Sequence, residues 1–240
     1  MKKKHPELSL LPAYCITLAF FLLLGYFCNT AVTVMQANAP IQRNICVVID
    51  AGHGGVDGGA STAEGIPESR INLQIALCLN DLMHLLGIQT KMIRTTDISI
   101  HTQGQTIAAK KVSDLRQRVR IVNETMNAFL ISIHQNYFSD SRYSGAQTFY
   151  ANSAVSRDFA KQLQTSLIQC LNPGSHRKAK PADGIYLMQN IQKDGVLIEC
   201  GFLSNPAEGA LLNSAEYQKQ LCCVIATQTS RYFQNPADLT

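Results

Sequence analysis

The stretch CVVIDAGHGGVDGGA, residues 46–60, joins an apolar run to a glycine-rich segment. The run up to Asp50 is short, rich in β-branched residues and ended by glycine, which predicts a buried β-strand. The segment after it contains five glycines and a single imidazole, that of His53. A glycine-rich turn after a strand is typical of phosphate sites, whereas a histidine at a strand end is typical of metal sites. The rest of the chain has to decide between these two kinds of site.

Strand-like and helix-like segments alternate along the chain. Apolar residues at helical spacing predict helices over residues 69–87, 114–127, 153–171 and 214–233. Short apolar runs predict strands over residues 44–50, 89–94, 128–134, 146–150, 185–188 and 195–200. The polar residues 95–113 are predicted to form a surface loop. This alternation predicts an α/β fold with a mostly parallel β-sheet, in a single domain over residues 44–235.

The first 43 residues have the pattern of an export segment. Three lysines come first, at positions 2–4, and no charged side chain occurs over residues 8–42. The densest apolar stretch, residues 13–28, is long for the core of a signal peptide and short for a membrane span. Two interpretations therefore stay open, a cleaved signal peptide or an N-terminal membrane anchor with a short linker. Either one predicts a domain outside the cytoplasm that contacts the membrane only through this segment.

The composition is that of an ordinary globular protein. The net charge of +4 is mild and comes partly from the N-terminal lysines, so nucleic acid is not an expected partner. The eight cysteines include no C-x-x-C pair, which leaves a structural zinc site or a thiol redox motif without support. Most cysteines beyond the export segment lie in apolar runs and are predicted to be buried free thiols, although one disulfide stays open.

Four polar side chains lie where the predicted sheet meets solvent. His53 follows the first strand, His134 ends the third strand, Glu68 precedes the first helix, and Glu199 lies within the apolar run VLIEC. Alone, each histidine is compatible with a structural hydrogen bond, and Glu68 with a favourable charge in a first helical turn. Glu199 is harder to explain structurally, because a carboxylate among apolar residues needs a partner. Functional groups gather at the carboxyl ends of parallel strands, so the four together predict one site.

The types of these four residues indicate metal-assisted hydrolysis. Two imidazoles and one carboxylate are a catalytic zinc set that leaves a position for water. Zinc lowers the pKa of that water and polarises a carbonyl, and a second carboxylate is then needed to transfer the proton. The inventory predicts His53, Glu68 and His134 as zinc ligands and Glu199 as general base and acid.

The alternatives have less support. The glycine-rich segment matches neither G-x-G-x-x-G nor G-x-x-x-x-G-K-[ST], which argues against a phosphate site, and the zinc motif H-E-x-x-H is absent. No G-x-S-x-G nucleophile motif occurs. Cys200, next to Glu199, is the remaining candidate nucleophile and lies within a strand-like run.

Several motifs together resemble a known family, the zinc-dependent N-acetylmuramoyl-L-alanine amidases of the Amidase_3 type. They occur in family order and are VVIDAGHGGVDGGA, PESRINLQIA, LISIHQN and GVLIECGFLSNPAE. The resemblance implies a mixed sheet with helices on both faces. It also implies that His53, Glu68 and His134 bind Zn²⁺ and that Glu199 is catalytic. The implied reaction is hydrolysis of the amide between the lactyl group of muramic acid and L-alanine in peptidoglycan.

A finer resemblance concerns the branch of this family that acts in spore germination. The motifs DLRQRVRIVN, SGAQTFY and RKAKPADGIYLMQN are similar to those of germination-specific amidases of spore-forming bacteria. The resemblance implies action on spore cortex, as the first step toward muramic-δ-lactam, and a location between the forespore membranes. Some relatives also imply an activating lipoprotein partner. A vegetative autolysin of the same family and a zinc peptidase acting on peptidoglycan peptides are the alternatives.

Three further residues are candidates for substrate binding. Arg177 and Lys178 either attract carboxylates of the stem peptide or belong to a solvated basic loop. Asn136 is expected to orient His134 or to donate a hydrogen bond to the substrate.

Overall fold

The computed structural model describes residue 23 and residues 45–234. The prediction of a signal peptide or anchor over residues 1–43 therefore lies, apart from one position, outside the described residues. Among the residues described, no helix combines the length and apolar character that a membrane span needs.

The core of the protein is a six-stranded β-sheet. Its strands follow the spatial order β2-β1-β3-β6-β4-β5. The first four in that order are mutually parallel, whereas β4 is antiparallel to β6 and parallel to β5. The mixed, mostly parallel α/β sheet is thus confirmed. The strands are β1 (Cys46–Ala51), β2 (Gln89–Met92), β3 (Ala128–Asn136), β4 (Gln147–Tyr150), β5 (Lys180–Pro181) and β6 (Asp194–Phe202).

Helices cover both faces of the sheet. They are α1 (Glu68–Leu85), α2 (Ile107–Glu124), α3 (Ala154–Leu171), α4 (Tyr186–Asn190), α5 (Pro206–Leu212) and α6 (Ala215–Gln234). Because side chains alternate along a strand, Ile49 and Ile131 pack with α1, α3 and α6, while Val48 and Leu130 pack with α2 and α4. The central strands are therefore apolar on both sides, which is why they read as continuous hydrophobic runs.

Two predicted segments differ from the structure, and two elements that it contains, β5 and α5, were not predicted. The strand predicted over residues 185–188 is wrong, since these residues begin the short helix α4, whose Leu187 and Met188 are buried against the α2 side of the sheet. The predicted loop 95–113 ends early, because α2 begins at Ile107 after Thr106, whose hydroxyl accepts a hydrogen bond from the amide of Ala109. The first turns of α2 are exposed and include the apolar side chains of Ile107 and Val112, so they lack the buried apolar stripe by which a helix is recognised in a sequence.

Candidate metal centre and active site

The glycine-rich segment after β1 turns the chain so that His53 faces the end of β3. His53 adopts a left-handed backbone conformation with φ of 60°. Gly52 has no Cβ, and one placed there would collide with the imidazole of His134. A Cβ on Gly59 would lie 2.5 Å from Glu68 Oε2 and 2.9 Å from His53 Cδ2. The glycines therefore make room for the three functional side chains rather than for a phosphate.

His53, Glu68 and His134 form a compact group in which the carboxylate lies between the two imidazoles. His53 Nε2 is 3.3 Å from Glu68 Oε2, and His134 Nδ1 is 3.1 Å from Glu68 Oε1. One ligand atom from each residue lies within 4.8 Å of the others. The structure thus brings together the three residues predicted as metal ligands, which come from the exit of β1, the start of α1 and the end of β3.

The Glu68 carboxylate is buried and held from several sides. Its Oε2 accepts a hydrogen bond from the amide of Ala60, and its Oε1 accepts hydrogen bonds from the amide of Gln135 and the side chain of Asn72. Although burial raises its pKa, hydrogen bonds from His134 and His53 hold the pKa of Glu68 well below its usual range. Glu68 is therefore an anion with a fixed orientation, as a metal ligand requires.

The electrostatics around His53 attract positive charge. Burial lowers the pKa of His53, but Glu68 and Asp57 outweigh this and raise the pKa to about 9. Without a metal, the two carboxylates thus stabilise a proton on the imidazole. A divalent cation competes with that proton for the same negative charge, and neutral imidazole is the form that binds a metal.

Asp57 is a functional residue that the sequence interpretation missed. Its Oδ2 lies 3.0 Å from His53 Nδ1, and its Oδ1 lies 2.7 Å from Lys111 Nζ. A carboxylate on one ring nitrogen places the proton there and leaves the other nitrogen free to bind a metal. Asp57 therefore directs His53 Nε2 toward Glu68. The sequence signal that could have identified it is its position in the glycine-rich segment, four residues after His53.

Arg118 on α2 is a second functional residue that the sequence interpretation missed. Its side chain is only 2% exposed. It forms ion pairs with Asp50 and Asp114 and donates hydrogen bonds to the carbonyls of Ala51 at 2.9 Å and His53 at 2.7 Å. Its side chain thus ties α2 to the backbone that carries His53.

A second buried arginine, Arg94 from the end of β2, supports the same turn. It donates hydrogen bonds to the carbonyls of Ala51 at 2.8 Å, Gly52 at 3.0 Å and Ser69 at 2.8 Å. The glycine-rich turn is therefore held by two guanidinium groups rather than left mobile, which keeps His53 in position.

Glu199 lies beside the candidate metal centre on β6. It is the direct cross-strand partner of His134 on β3 and of Gln147 on β4. Its Oε2 is buried and has no hydrogen-bond partner among the described residues. Burial raises the pKa of Glu199 to about 7. A carboxyl group that changes protonation near neutral pH is suited to accept and return a proton.

Cys200 is unsuited to the nucleophile role that the sequence left open. It is fully buried in the core cluster on the other face of the sheet from Glu199. Burial raises the pKa of its thiol far above the usual range. The six cysteines of the described residues are free thiols.

The predicted substrate-binding residues lie near the site but differ in their contacts. Asn136 ends β3 two residues after His134, and its carbonyl accepts a hydrogen bond from the amide of Leu203. Arg177 packs its guanidinium 4.5 Å above the ring of Phe202. Lys178 is exposed.

Arg177 is connected to Glu199 through one intermediate residue. It donates hydrogen bonds to the carbonyl of Ser144 at 2.7 Å and to Gln147 Oε1 at 2.9 Å. Gln147, the cross-strand partner of Glu199, in turn donates to the carbonyl of Lys178 at 2.8 Å. Arg177 is therefore ordered by the strand next to Glu199, rather than belonging to a freely solvated loop.

The fold and the site define a hydrolytic enzyme of the α/β class with a candidate metal centre at the carboxyl ends of its strands. Comparison with protein families identifies the kind of hydrolase. The model of the N-acetylmuramoyl-L-alanine amidase family, Amidase_3, matches residues 47–228, and the chain belongs to this family. It is a hydrolase of that type.

Individual relatives agree with the family. The chain is 37% identical to the germination-specific N-acetylmuramoyl-L-alanine amidase of Bacillus subtilis, over 99% of both chains. Among solved structures, it resembles the CwlD amidase of Clostridioides difficile, determined in complex with the GerS lipoprotein. That match has a TM-score of 0.75 and 35% identity and covers 78% of this chain and 98% of that chain. The catalytic domain of CwlV from Paenibacillus polymyxa matches with a TM-score of 0.63 and 27% identity, over 78% and 97% of the two chains.

Proposed function

We propose that this protein is a zinc-dependent amidase of spore cortex peptidoglycan. It hydrolyses the amide between the lactyl group of muramic acid and L-alanine, as the first step toward the muramic-δ-lactam required for germination. The observation that carries the catalytic part is the His53–Glu68–His134 group with Glu199 beside it, whose Oε2 has no hydrogen-bond partner among the described residues. The similarity to a germination-specific amidase over 99% of both chains supports the role in the cortex.

The residues present fit zinc. Two imidazole nitrogens and one carboxylate oxygen are the donors of many hydrolytic zinc sites, which leave a fourth position for water or substrate. The contact of Asp57 with His53 Nδ1 supplies the outer carboxylate that commonly accompanies a zinc-bound histidine. Glu199 is not needed as a ligand, so it stays available for proton transfer.

The protein residues then have distinct tasks in the reaction. The chemistry supplied by zinc, when bound, is polarisation of the substrate carbonyl and a lowered pKa of water. Glu199, in its carboxylate form, accepts a proton from the attacking water. It then returns that proton to the amide nitrogen, which leaves as the amino group of L-alanine. Burial raises the pKa of Glu199 to about 7, so its carboxyl group can both accept and release a proton near neutral pH.

Substrate contacts are part of the same proposal. Arg177 and Lys178 attract carboxylates of the stem peptide from the β4–β5 side of Glu199, and Asn136 donates a hydrogen bond to the substrate beside His134. The hydrogen bonds that order Arg177 next to Gln147 support this assignment. The exposure of Lys178 leaves its ammonium group accessible to an anion.

We extend the proposal to location and partner. Residues 1–43 act as a signal peptide or anchor, and residues 44–235 form the catalytic domain between the forespore membranes, on the cortex side. A wall amidase needs such export to reach its substrate. An activating lipoprotein is the proposed partner, because the C. difficile neighbour was solved in complex with one.

Digestion of purified cortex by the full chain, with added zinc or with a chelator, tests this function. We expect zinc-dependent release of peptides that begin with free L-alanine, identified by mass spectrometry of the new termini. New termini within the stem peptides would instead show a zinc peptidase. Equal digestion of vegetative wall and cortex, each with its native modifications, would support a general autolysin of the same family.

A further inference from the structure

A cavity of about 370 Å³ opens beside the candidate metal centre, on the face of the sheet covered by α2 and α4. Both His53 and His134 line it. Helix α2 contributes Lys111 to one wall, and residues 184–187 form the opposite wall. The cavity is therefore bounded on two sides and has the metal-binding imidazoles between them.

The interior of this cavity is largely apolar. Leu115 comes from α2, Leu197 from β6, and Ile185 and Leu187 come from the opposite wall. A small aliphatic group that enters from the metal centre would thus be removed from water. The methyl group of the L-alanine at the scissile bond has this size and character.

Lys111 supplies the cation of the cavity that is available to a ligand. It is exposed on α2, and its Nζ lies 2.7 Å from Asp57 Oδ1. An ammonium group has three protons to donate, so this ion pair leaves capacity for another anion. Arg118, the other cation in the lining, is committed to Asp50 and Asp114.

The anionic residues of the cavity already have partners. Asp50 accepts hydrogen bonds from Arg118 and Ser132, and Asp114 from Arg118 and the amide of Ile100. Asp57 is bound by His53 and Lys111. These carboxylates are therefore already neutralised by partners within the protein. An incoming anion can accept a hydrogen bond from the N–H groups of Lys111 that do not point at Asp57.

We propose that this cavity is the subsite for the first two residues of the stem peptide and that Lys111 binds the free α-carboxylate of the second of them, D-glutamate. A glycan strand continues in both directions and needs an open surface, whereas the stem peptide is a side branch that can enter a walled cavity. D-Glutamate is joined through its γ-carboxyl group, so its α-carboxylate is free one residue beyond the scissile amide. Lys111 contacts Asp57, and Asp57 contacts Nδ1 of His53, whose Nε2 is the proposed metal-binding nitrogen. Lys111 therefore lies only one carboxylate and one imidazole ring away from the metal position. This inference rests on the proposed amidase function.

Two synthetic muropeptides that differ by one group test the proposal. Both carry the disaccharide and the same stem, with D-glutamate in one and D-isoglutamine, its α-amide, in the other. We expect zinc-loaded wild-type enzyme to cleave the D-glutamate substrate with a kcat/KM about 10-fold or more higher, as loss of a charged hydrogen bond implies. Lys111→Gln should abolish this preference, and Lys111→Arg should retain most of it. Arg116→Gln, which removes an exposed charge from the same helix, is the matched control and should leave the preference unchanged.

A purely structural role of Lys111 gives a different result. If Lys111 served only to orient Asp57, Lys111→Gln would lower kcat/KM equally on both substrates and reduce zinc binding, which overturns the proposal. A third substrate, amidated on the diaminopimelate residue with D-glutamate free, should be cleaved like the unmodified one. If the preference depended on the diaminopimelate residue rather than on D-glutamate, that result would also overturn the proposal. Failure of zinc-loaded wild-type enzyme to cleave either substrate would overturn the proposed function itself.

Discussion

Glu199 on β6 is the direct cross-strand partner of His134 on β3, so the candidate general base and a candidate metal ligand project from neighbouring strands on the same face of the sheet. This relationship places Glu199, whose Oε2 has no hydrogen-bond partner among the described residues, beside the proposed metal position, where it could take a proton from a metal-activated water. Strand register therefore sets the proposed proton-transfer residue next to a proposed metal ligand.

Replacement of Glu199 by Gln should remove proton transfer while it keeps the shape of the side chain. We expect kcat to fall by about 10²–10⁴, the usual contribution of a general acid or base. Zinc content should not change, because Glu199 is not one of the proposed ligands. Glu216→Gln, at an exposed position of α6, is the control for loss of a carboxylate. Wild-type turnover by zinc-loaded Glu199→Gln would contradict the assignment.

Asp57→Asn should weaken zinc binding through His53. The amide can keep a hydrogen bond to His53 Nδ1 but loses the charge that supports the imidazole as a ligand. We expect zinc affinity to fall by about 10–100-fold, the range typical of outer carboxylates. Competition with a chromophoric chelator measures this without relying on activity. An unchanged affinity would show that the 3.0 Å contact does not support the metal centre.

The buried Asp50–Arg118 pair should make stability depend on pH. Although burial raises it, the guanidinium of Arg118 holds the pKa of Asp50 below its usual range. Its contribution to stability is therefore complete above a pH of about 4, the ordinary aspartate value, and is lost as the pH falls through the lower folded-state pKa. Asp50→Asn should lower the free energy of unfolding by about 3–5 kcal/mol near neutral pH, since it leaves Arg118 partly unpaired.

Urea unfolding of the zinc-free proteins at several pH values checks this prediction. The stability difference between wild type and Asp50→Asn should shrink as the pH falls below about 4. Asp183→Asn, at an exposed position, is the control and should show no such dependence. A difference that stayed constant with pH would mean that the pair does not titrate as proposed.

Gly52→Ala should disturb the metal centre directly. The added Cβ would collide with the His134 imidazole, so the ring must move away from Glu68. We expect loss of zinc binding and of activity with the fold retained, as judged by circular dichroism. Gly58→Ala in the same segment places its Cβ 3.5 Å from Pro67, an ordinary contact, and should bind zinc normally.

The four central residues of the site could be found from sequence for a simple reason. His53, His134 and Glu199 each follow or end an apolar run, and Glu68 begins a helix, so local patterns place all four at the edge of the sheet. Asp57 stands in the glycine-rich segment, but its contact with His53 depends on how that segment folds. Arg118 had no local signal, because its spacing of four residues from Asp114 does not show whether the pair is exposed or buried.

The secondary structure shows the same difference between features that have a local sequence pattern and features that do not. The buried strands and the amphipathic helices α1, α3 and α6 were recognisable because burial on one side imposes a period on the sequence. The start of α2, the short helices α4 and α5 and the two-residue strand β5 were missed. The start of α2 is exposed on all sides, so no buried face imposes a period there, and α4 is too short for a helical period to be distinguished from the apolar run of a strand.

The sequence by itself determined the order of the main strands and helices and the chemical types available where the strands end. These properties depend on neighbours along the chain. Only the tertiary structure decided which nitrogen of His53 faces Glu68, which arginines hold the turn and where Lys111 lies. Those features depend on groups that are far apart in sequence, such as Arg118 and the carbonyl of His53, 65 residues away, and that meet only when α2 packs on the sheet.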